Sequence, residues 1–261
     1  MPKIVAVIPS HLASTRFPRK IVFPFAGVPM IEHVRRRALL AAGLDDVYVA
    51  TCDTEIADIV SANGGKVVMT ANTHRNGTSR VAEALEHIDC THVILLQGDE
   101  PLLLPRHVEQ VIAAIHANPN GDAWNATAPI NEPEELDRQS FVKCAISPEG
   151  EWIYAFRRSP STAPFDVQQG YIRKVLGLIA FRRDYLVELS AMPPSVIETL
   201  ESIEQMRIVE SRGHMVSVPV AESLPSVNEP HEASIVLDYI NNNSEQLELF
   251  NGVIARGSKK D

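Results

Sequence analysis

The segment Pro9–Lys20 holds the residues of this chain whose types and spacing point most directly to chemistry. It follows the apolar run Ile4–Ile8, which is typical of a buried strand. Its hydroxyl and permanently cationic side chains include those of Ser14, Thr15, Arg16 and Lys20. The first acidic residue is Glu32, although the chain carries a formal net charge of −9. Because open α/β sheets bind ligands beyond the carboxyl ends of their strands, the segment predicts a site for an anion such as a polyphosphate.

Neither common glycine-rich phosphate motif occurs in this segment. A P-loop needs G-x-x-x-x-G-K-[ST] and a dinucleotide fold needs G-x-G-x-x-G, whereas Pro9–Lys20 contains no glycine. Phosphate would therefore be held mainly by side chains, with Arg16 offering a planar fork of donors and Lys20 a mobile point charge. A solvated basic loop without a ligand is the alternative that the composition leaves open.

A second chemical signal is the acidic residue that follows the apolar run His92–Leu96. The chain continues as Gln97-Gly98-Asp99, so Asp99 is expected at the carboxyl edge of the sheet, on the same side as the first loop. A carboxylate there can hold Mg²⁺ against a triphosphate, because Mg²⁺ takes one or two carboxylates together with phosphate oxygens. The alternative is an aspartate in a tight turn.

The bulk composition predicts the class of protein that presents these residues. The 261 residues are 45% hydrophobic and 22% charged, which indicates a packed α/β domain. Acidic residues outnumber Lys and Arg by 33 to 24, so no nucleic-acid partner is expected. Membrane insertion is not expected either, and the N-terminal segment is interpreted as a core strand rather than a signal peptide. The three cysteines lack metal-ligand spacing, which predicts free thiols and a cytoplasmic location.

The first half of the chain alternates predicted strands and helices. The predicted strands are Ile4–Ile8, Val47–Thr51, Lys66–Met69 and His92–Leu96. The predicted helices are Pro29–Ala42, Thr54–Asn63, Gly77–His87 and Pro105–Ala117. Apolar strands separated by helices predict a mostly parallel central sheet with helices on both faces.

After Gly121 the pattern becomes rich in strands. The predicted strands are Ala123–Ala128, Phe141–Ile146, Trp152–Phe156, Val175–Phe181 and His214–Val220. The predicted helices are Ser195–Glu210 and Pro230–Phe250, and Arg157–Tyr171 is predicted to be a long loop. We therefore expect a single domain over residues 1–250, with a smaller inserted strand-rich subregion at about 123–181 and a frayed tail over 251–261.

The pattern Pro-x-x-x-x-Ser-x-Arg-x-Pro-x-Lys, followed by Phe25–Ile31, resembles the CMP-Kdo synthetases, the 3-deoxy-manno-octulosonate cytidylyltransferases. The resemblance extends from about Ile4 to Ala233. It implies a Rossmann-like nucleotidyltransferase fold. It also implies an enzyme that transfers CMP from CTP to an acidic sugar acceptor, with release of pyrophosphate. It also implies that the loop wraps the CTP triphosphate, with Arg16 and Lys20 on phosphate-contacting positions. The other nucleotide-binding residues implied in the loop are Pro9, Ser10, His11, Ser14 and Thr15.

Two further segments resemble nucleotide-binding parts of the family. His74–Arg80 resembles its Ser-Gly-Thr-Glu-Arg segment, although the serine and the glutamate are Asn76 and Ser79 here. The residues to which the resemblance assigns nucleotide contacts are Asn76, Gly77, Thr78 and Arg80. Without it, Gly77-Thr78 is only a helix start with Thr78 as a possible cap. In the Gln97-Gly98-Asp99 segment, the resemblance implies that Gln97 lies near both the base and the acceptor sugar.

Candidates for acceptor binding come from later segments. Lys143 matches a Val-Lys strand of the family, with a solvent-exposed lysine as an equal alternative. The predicted helix Ser195–Glu210 resembles the family's Glu-x-x-Glu-x-x-Glu-Gln-x-Arg helix, which makes Glu204 and Gln205 candidates. A solvated helix face is the alternative, because acids three residues apart lie close together on a helix.

The departures from the family pattern fall largely on the acceptor side. The family's sugar-contacting His and its Tyr are Val175 and Ile179 here, and its second metal-binding Asp is Asn228. Asn228 offers a carbonyl oxygen to Mg²⁺ but no charge. Within Pro9-Ser10-His11, an imidazole replaces the family's arginine, and the loop Arg157–Pro164 is slightly longer than its counterpart.

Three functions remain open on the sequence. The first is CMP transfer to Kdo or a related 3-deoxy-2-keto sugar acid. The second is CMP transfer to a different acidic acceptor, another acidic sugar or a phosphonate, which the residues at 175, 179 and 228 favour. The third is a nucleotide-binding paralogue without catalysis, against which the retention of Arg16, Lys20 and Asp99 argues.

The two catalytic readings share one mechanism. Asp99 would hold Mg²⁺, while Arg16 and Lys20 neutralise the departing pyrophosphate. If a second metal is needed, Asn228 should bind it only weakly. No general base is evident in the sequence, so positioning and charge stabilisation carry the reaction. The resemblance also implies a homodimer formed through the strand-rich subregion.

Overall fold

The chain divides into two structural units. The computed structural model describes residues 1–14, 17–25, 27–227 and 229–258. The first unit combines Lys3–Glu109 with Leu224–Asp261, and the second comprises Gln110–Ser223. The chain therefore leaves the first unit, builds the second, and returns to complete the first.

The first unit is an alternation of strands and helices closed by two C-terminal helices. Its strands are β1 (Ile4–Ser10), β2 (Pro24–Phe25), β3 (Val28–Pro29), β4 (Asp46–Thr51), β5 (Lys66–Met69) and β6 (His92–Leu96). Its helices are α1 (Met30–Ala38), α2 (Thr54–Ala62), α3 (Gly77–Ala84), the first part of α4 (Pro105–Ala117), α9 (Glu232–Asn242) and α10 (Ser244–Ser258). A short 3-10 turn, Lys20–Val22, follows the first loop.

The sheet of the first unit is parallel, with the strand order β5-β4-β1-β6. β1 pairs with β4 in the register Val5–Asp46 and with β6 in the register Ile4–His92. Ile4–Ile8 is buried along its whole length, as expected for a central strand covered on both faces. The loops after β1 and β6 consequently leave the sheet at the same edge.

Helix α1 is unusual because all nine of its residues are buried, including four charged ones. The Glu32 carboxylate accepts hydrogen bonds from Arg35 Nε and Nη2, each at 2.7 Å, and from Arg36 Nε at 3.0 Å. Arg36 Nη1 also donates to the Val253 carbonyl at 2.9 Å, which ties α1 to α10. Burying these cations is tolerable because a carboxylate and carbonyl oxygens meet them.

Aromatic rings surround the histidine of the same helix. His33 Nε2 donates to the Phe25 carbonyl at 2.7 Å, and the imidazole stacks on Phe250 with ring centroids 5.4 Å apart. Burial lowers the pKa of His33 to about 4. The ring is therefore a neutral member of the core at neutral pH.

The second unit is built around antiparallel strands. Its strands are β7 (Ala123–Ala128), β8 (Lys143–Ile146), β9 (Trp152–Phe156), β10 (Ile172–Arg182) and β11 (Met215–Pro219). Its helices are the end of α4, α5 (Phe165–Gln168), α6 (Arg183–Ala191), α7 (Val196–Glu201) and α8 (Met206–Glu210). β11 runs parallel to β7, whereas the β7–β10, β10–β8 and β8–β9 pairs are antiparallel.

An irregularity interrupts the pairing of β10 with β7. Val175 pairs with Thr127 and Ile179 with Asn125, so three residues of β10 face one residue of β7. The Asn125 side chain donates to the carbonyls of Leu176 and Leu178 at 2.9 and 3.3 Å. This buried amide satisfies carbonyl oxygens that the ladder leaves unpaired at the bulge.

Most predicted elements are confirmed, several to the residue. The elements whose predicted and observed bounds agree are Lys66–Met69, His92–Leu96, Pro105–Ala117, Ala123–Ala128 and Trp152–Phe156. No helix in the described ranges combines the length and apolar character that crossing a membrane requires.

Three predictions about helices and loops are wrong. The helix predicted over Ser195–Glu210 ends at Glu201, because Ser202 adopts a left-handed conformation with φ 55°. The helix predicted over Pro230–Phe250 is two helices, separated at Asn243, whose side chain accepts from the Gln246 amide at 3.0 Å. The predicted loop Arg157–Tyr171 contains α5, and α6 was not predicted. α10 extends to Ser258, and residues 259–261 lie outside the described residues.

His33 predicts an acid sensitivity of the fold. An unfolded histidine has a pKa near ~6.5, whereas His33 in the folded chain stays neutral until about pH 4. The unfolded chain therefore gains a proton first, and stability falls as the pH falls through this window. Between about pH 7.5 and pH 5, the free energy of unfolding should drop by about 2 kcal/mol more in the native protein than in His33→Gln.

Urea denaturation at the two pH values measures this difference. His116→Gln is the matched control, because His116 lies exposed on α4 and should leave the native pH dependence intact. An equal loss of stability in native protein and His33→Gln would contradict the assignment.

Candidate functional site

A pocket of about 100 Å³ lies where the loop after β1 meets the start of α3. Its lining residues come from the ends of β1 and β6 and from the segment that enters α3. They are Pro9, His11, His74, Arg75, Asn76, Gly77, Arg80 and Gln97. The structure thus brings six of the residues predicted to contact the nucleotide into one concavity within the first unit.

Close approach between α3 and β1 shapes one wall of this pocket. An added Cβ at Gly77 would lie 2.9 Å from Cγ of the Pro9 ring, so only glycine fits here without displacement. Asn76 is the N-cap of α3, and its Oδ1 accepts from the Ser79 amide at 2.9 Å. The possible capping role of Thr78 was therefore wrong, since the N-cap is Asn76, two residues earlier, and Thr78 lies inside the helix.

Arg80 lies on the pocket wall but is largely buried. Its Nη1 donates to Thr70 Oγ1 at 2.6 Å and to the Ala71 carbonyl at 3.3 Å. These contacts fasten the segment after β5 to α3. The part of the guanidinium that reaches the pocket is consequently held in a fixed orientation.

Two basic side chains of this pocket, His74 and Arg75, were not among the predicted site residues. His74 Nδ1 lies 3.1 Å from Ser79 Oγ, and its Nε2 pairs with the Glu83 carboxylate. The hydrogen bond from His74 holds the pKa of Glu83 below its usual range. Arg75 is exposed. The signal that could have found both residues is the pair of basic residue types, His74-Arg75, directly before the N-cap residue of a helix.

The ion pair of Lys20 with Asp99 joins the two strand ends next to this pocket. Lys20 Nζ lies 2.5 Å from Asp99 Oδ2, with the side chains 8% and 26% exposed. An added Cβ at Gly98 would lie 2.9 Å from Ile21 Cδ1 and 3.3 Å from Ser10 Oγ. The small residue between Gln97 and Asp99 therefore lets the Lys20 turn approach the end of β6.

The loop between β1 and the Lys20 turn folds back on itself. The Leu12 amide donates to Asp53 Oδ2 at 2.9 Å, and the Arg19 amide donates to the Leu12 carbonyl at 3.3 Å. Ser14 Oγ accepts from the Phe17 amide at 3.4 Å. Thr15 and Arg16 lie outside the described residues, so the structure assigns no position to these two predicted contacts.

The remaining predicted loop residue, Ser10, is 1% exposed, and its hydroxyl lies 3.5 Å from the Ile8 carbonyl. In the structure, the Ser10 side chain is therefore buried at the end of β1. His11, directly after it, is exposed and lines the pocket.

A backbone contact brings the chain beside residue 228 to Asp99. The Val227 amide donates to the Asp99 carbonyl at 3.1 Å, which places the neighbour of Asn228 against the end of β6. Asn228 itself lies outside the described residues. Within the described ranges, no cluster of three or more acidic, His or Cys side chains could hold a metal ion.

The other acceptor candidates belong to the second unit. Lys143 is 0% exposed, and its ammonium donates to the carbonyls of Arg138, Phe141 and Arg157. Burial lowers its pKa to about 8. The alternative of a solvent-exposed lysine is therefore wrong, because this side chain closes a buried turn.

Val175 and Ile179 flank the bulge of β10. Val175 is half-buried, whereas Ile179 is 6% exposed and belongs to the core of the second unit. Gln205 Nε2 donates to Asn125 Oδ1 at 3.3 Å, so the same buried amide connects Gln205 to the bulge. Val175 and Ile179 are four residues apart in the sequence, and the bulge lies between them.

Glu204 is exposed, in the short segment between α7 and α8. The expected acidic face of one helix is wrong, because the helix ends at Glu201. Arg207 instead forms a bidentate pair with Glu198, with Nε 2.7 Å from Oε2. Burial opposes the charged form of Glu198, but the Arg207 hydrogen bonds hold its pKa below the usual range.

The fold defines the class of protein. A solved structure described as CMP:2-keto-3-deoxy-manno-octonic acid synthetase complexed with CTP superposes with a TM-score of 0.86 at 34% identity, covering 92% of this chain and 99% of that one. The mixed α/β fold with a mostly parallel central sheet is thus that of a nucleotidyltransferase.

Sequence relationships give the family. The cytidylyltransferase family model matches residues 5–215. The 3-deoxy-manno-octulosonate cytidylyltransferase of Escherichia coli is 36% identical over 230 residues, 88% of this chain and 93% of that protein. The 8-amino-3,8-dideoxy-manno-octulosonate cytidylyltransferase of Shewanella piezotolerans is 37% identical over 238 residues, 89% of this chain and 96% of that protein. The chain belongs to the cytidylyltransferase family.

Gly77→Ala should displace α3 from β1 and damage the site. Ala is the better helix former, but its Cβ would meet the rigid Pro9 ring at 2.9 Å and push α3 away from β1. We expect the KM for CTP to rise by roughly tenfold, because small displacements of positioning groups are costly. Gly252→Ala is the control, since nothing lies within 4 Å of a Cβ there. Steady-state kinetics and melting temperatures of both variants measure the effect, and an unchanged KM in Gly77→Ala would contradict it.

Proposed function

We propose that this protein transfers CMP from CTP to a sugar acid of the 3-deoxy-octulosonate class and releases pyrophosphate. The observation that carries the proposal is the Lys20–Asp99 pair, 2.5 Å apart, beside a pocket lined by basic side chains. It supplies an ammonium for phosphate and a carboxylate for a nucleotide-bound cation at one edge of a parallel sheet.

The chemistry we infer is an in-line displacement. The acceptor hydroxyl oxygen attacks the α-phosphorus of CTP and loses its proton to solvent, the bond from that phosphorus to the bridging oxygen breaks, and pyrophosphate leaves with the bonding electrons. Lys20 neutralises charge on the leaving group, a role we also propose for Arg16. We propose that positioning of the two reactants, rather than a dedicated general base, carries the rate.

The acidic residue of the pair fits a magnesium ion that arrives with the nucleotide. Asp99 offers one carboxylate, and its side chain is 26% exposed. Mg²⁺ needs few protein ligands when phosphate oxygens complete its shell. We propose that Asp99 holds the ion, with the carbonyl of Asn228 as a weaker second ligand. Mg²⁺ supplies charge neutralisation of the triphosphate when it is bound.

The acceptor class is inferred from the relatives. One acts, by its name, on 3-deoxy-manno-octulosonate and another on the 8-amino-3,8-dideoxy sugar, and the identities of 36% and 37% do not separate them. The apolar Val175 and Ile179 flank a bulge of β10 whose carbonyls are already satisfied by Asn125. We propose that acceptor contacts here come from side chains around the bulge rather than from its backbone.

Two properties of the whole molecule are proposed with the function. A homodimer is supported by β9, which among the described strands pairs only with β8, and which exposes 59% of Ile153. A cytoplasmic location is supported by free thiols at Cys52, Cys90 and Cys144.

Asp99→Asn should abolish magnesium-dependent turnover while CTP still binds. Asparagine keeps the size of the side chain but cannot balance the charge of Lys20 or of Mg²⁺. We expect kcat to fall by roughly 100-fold or more, because electrostatic stabilisation of a phosphoryl centre is lost. Pyrophosphate release measured across a range of Mg²⁺ concentrations tests this.

The control for that experiment is Asp89→Asn, which removes an exposed carboxylate paired with Lys3 at 2.8 Å. It should behave as the native protein, because exposed pairs contribute little. Native-like turnover in Asp99→Asn would overturn the metal assignment without affecting the acceptor assignment.

The acceptor class is tested by a panel assayed with CTP and Mg²⁺. The panel contains 3-deoxy-manno-octulosonate, its 8-amino-3,8-dideoxy analogue, a different acidic sugar and a phosphonate. We expect kcat/KM on at least one octulosonate to exceed the values for the last two compounds by at least about 100-fold, because polar groups left unpaired in a sugar site discriminate strongly. Preference for the phosphonate or the other sugar would contradict the proposal, as would CTP binding without turnover on any member.

A further inference from the structure

The pocket beside β1 carries four basic side chains, and the structure gives two of them internal partners. The four are His11, His74, Arg75 and Arg80. Arg80 donates to Thr70 and to the Ala71 carbonyl. His74 is held by Ser79 and Glu83. The charge of Lys20, outside the pocket lining, is balanced by Asp99.

Arg75 differs from its neighbours in this respect. Its side chain is exposed and lines the pocket, and within the described parts of the chain it has neither an ion pair nor a hydrogen bond. A guanidinium keeps its charge at any physiological pH and offers paired donors that match phosphate oxygens. Arg75 is therefore a permanent charge in the pocket without an internal counter-ion.

The segment that presents Arg75 is fixed at both ends. Glu83 on α3 accepts from the Ala71 amide, with N–O distances of 3.0 and 3.1 Å to its two oxygens, and also pairs with His74. On the other side, Asn76 caps α3 through the Ser79 amide. The backbone around Arg75 is thus held between two attachments to one helix, which lowers the entropic cost of using its side chain.

The N-terminus of α3 adds to the same field. The helix begins at Gly77, two residues after Arg75, and its first amides carry partial positive charge. A cationic side chain at a helix N-terminus, both facing one pocket, is an arrangement suited to an anion.

We propose that Arg75 is a nucleotide-binding residue that contacts a phosphate group of CTP. This inference rests on the proposed nucleotidyl transfer and assigns part of its phosphate recognition to a residue outside the first loop. Arg75 supplies to the pocket the permanent charge that His11, an imidazole at the end of β1, does not. The ligand chemistry that it selects is the phosphate chain rather than the base or the ribose.

Isothermal titration with CTP, CMP and cytidine, each with Mg²⁺ present, tests the assignment on the full chain. Arg75→Gln should weaken CTP binding by at least about tenfold, the effect of one lost charge-assisted contact, and change cytidine binding by less than about twofold. Arg75→Lys should recover part of the CTP affinity, because it restores the charge without the fork. Arg212→Gln, at an exposed arginine of the second unit, is the matched control and should bind like the native protein.

The outcomes separate this inference from the proposed function. Unchanged CTP affinity in Arg75→Gln, or equal weakening of CTP and cytidine, would overturn the role of Arg75 even if turnover is normal. Native protein that binds CTP in an Arg75-dependent manner but turns over no acceptor would refute the proposed reaction and leave the binding role standing. Melting temperatures of the two Arg75 variants within about two degrees of the native value exclude a folding defect.

Discussion

The buried ammonium of Lys20 constrains the architecture of the first unit. A lysine 7% exposed must have a counter-charge, because an unpaired buried cation is strongly destabilising. Asp99 provides it at 2.5 Å. The pair requires that β1 and β6 are parallel neighbours, so that their loops leave the sheet at the same edge. It also requires a small residue at Gly98, because a Cβ there would lie 2.9 Å from Ile21 in the Lys20 turn. Each of these features has its own physical cause, and the ion pair requires all of them together.

The core behind this pair is supplied by both ends of the chain. Phe17 from the first loop and Phe25 from β2 pack with Leu102, which follows Asp99, and with Val227 and Val236 near the C-terminus. The hydrogen bond from Arg36 of α1 to α10 fixes the same C-terminal region. The loops that carry the site chemistry therefore rest on a packed surface, which limits the motion of Lys20 and Asp99 before any ligand binds.

Sequence reasoning succeeded where the determinants are local. Apolar runs such as His92–Leu96 predicted the strands, and the alternation of strands and helices in the first half of the chain was also predicted. It failed where a single residue changes the backbone, at Ser202 with its positive φ and at Asn243 with its capping side chain. Lys143 shows a different limit, because its burial depends on carbonyl groups of Arg138 and Arg157 that no linear pattern reveals.

The sequence by itself determined the cytidylyltransferase character of the protein, because a loop of cations after one strand and an aspartate after another are fixed by residue type and spacing. Tertiary structure alone decided which charges already have partners. Lys20 and Arg80 are held by Asp99 and Thr70, whereas Arg75 has no partner among the described residues. The physical reason is that the availability of a charge depends on which groups surround it in space, and strands distant in sequence supply those groups.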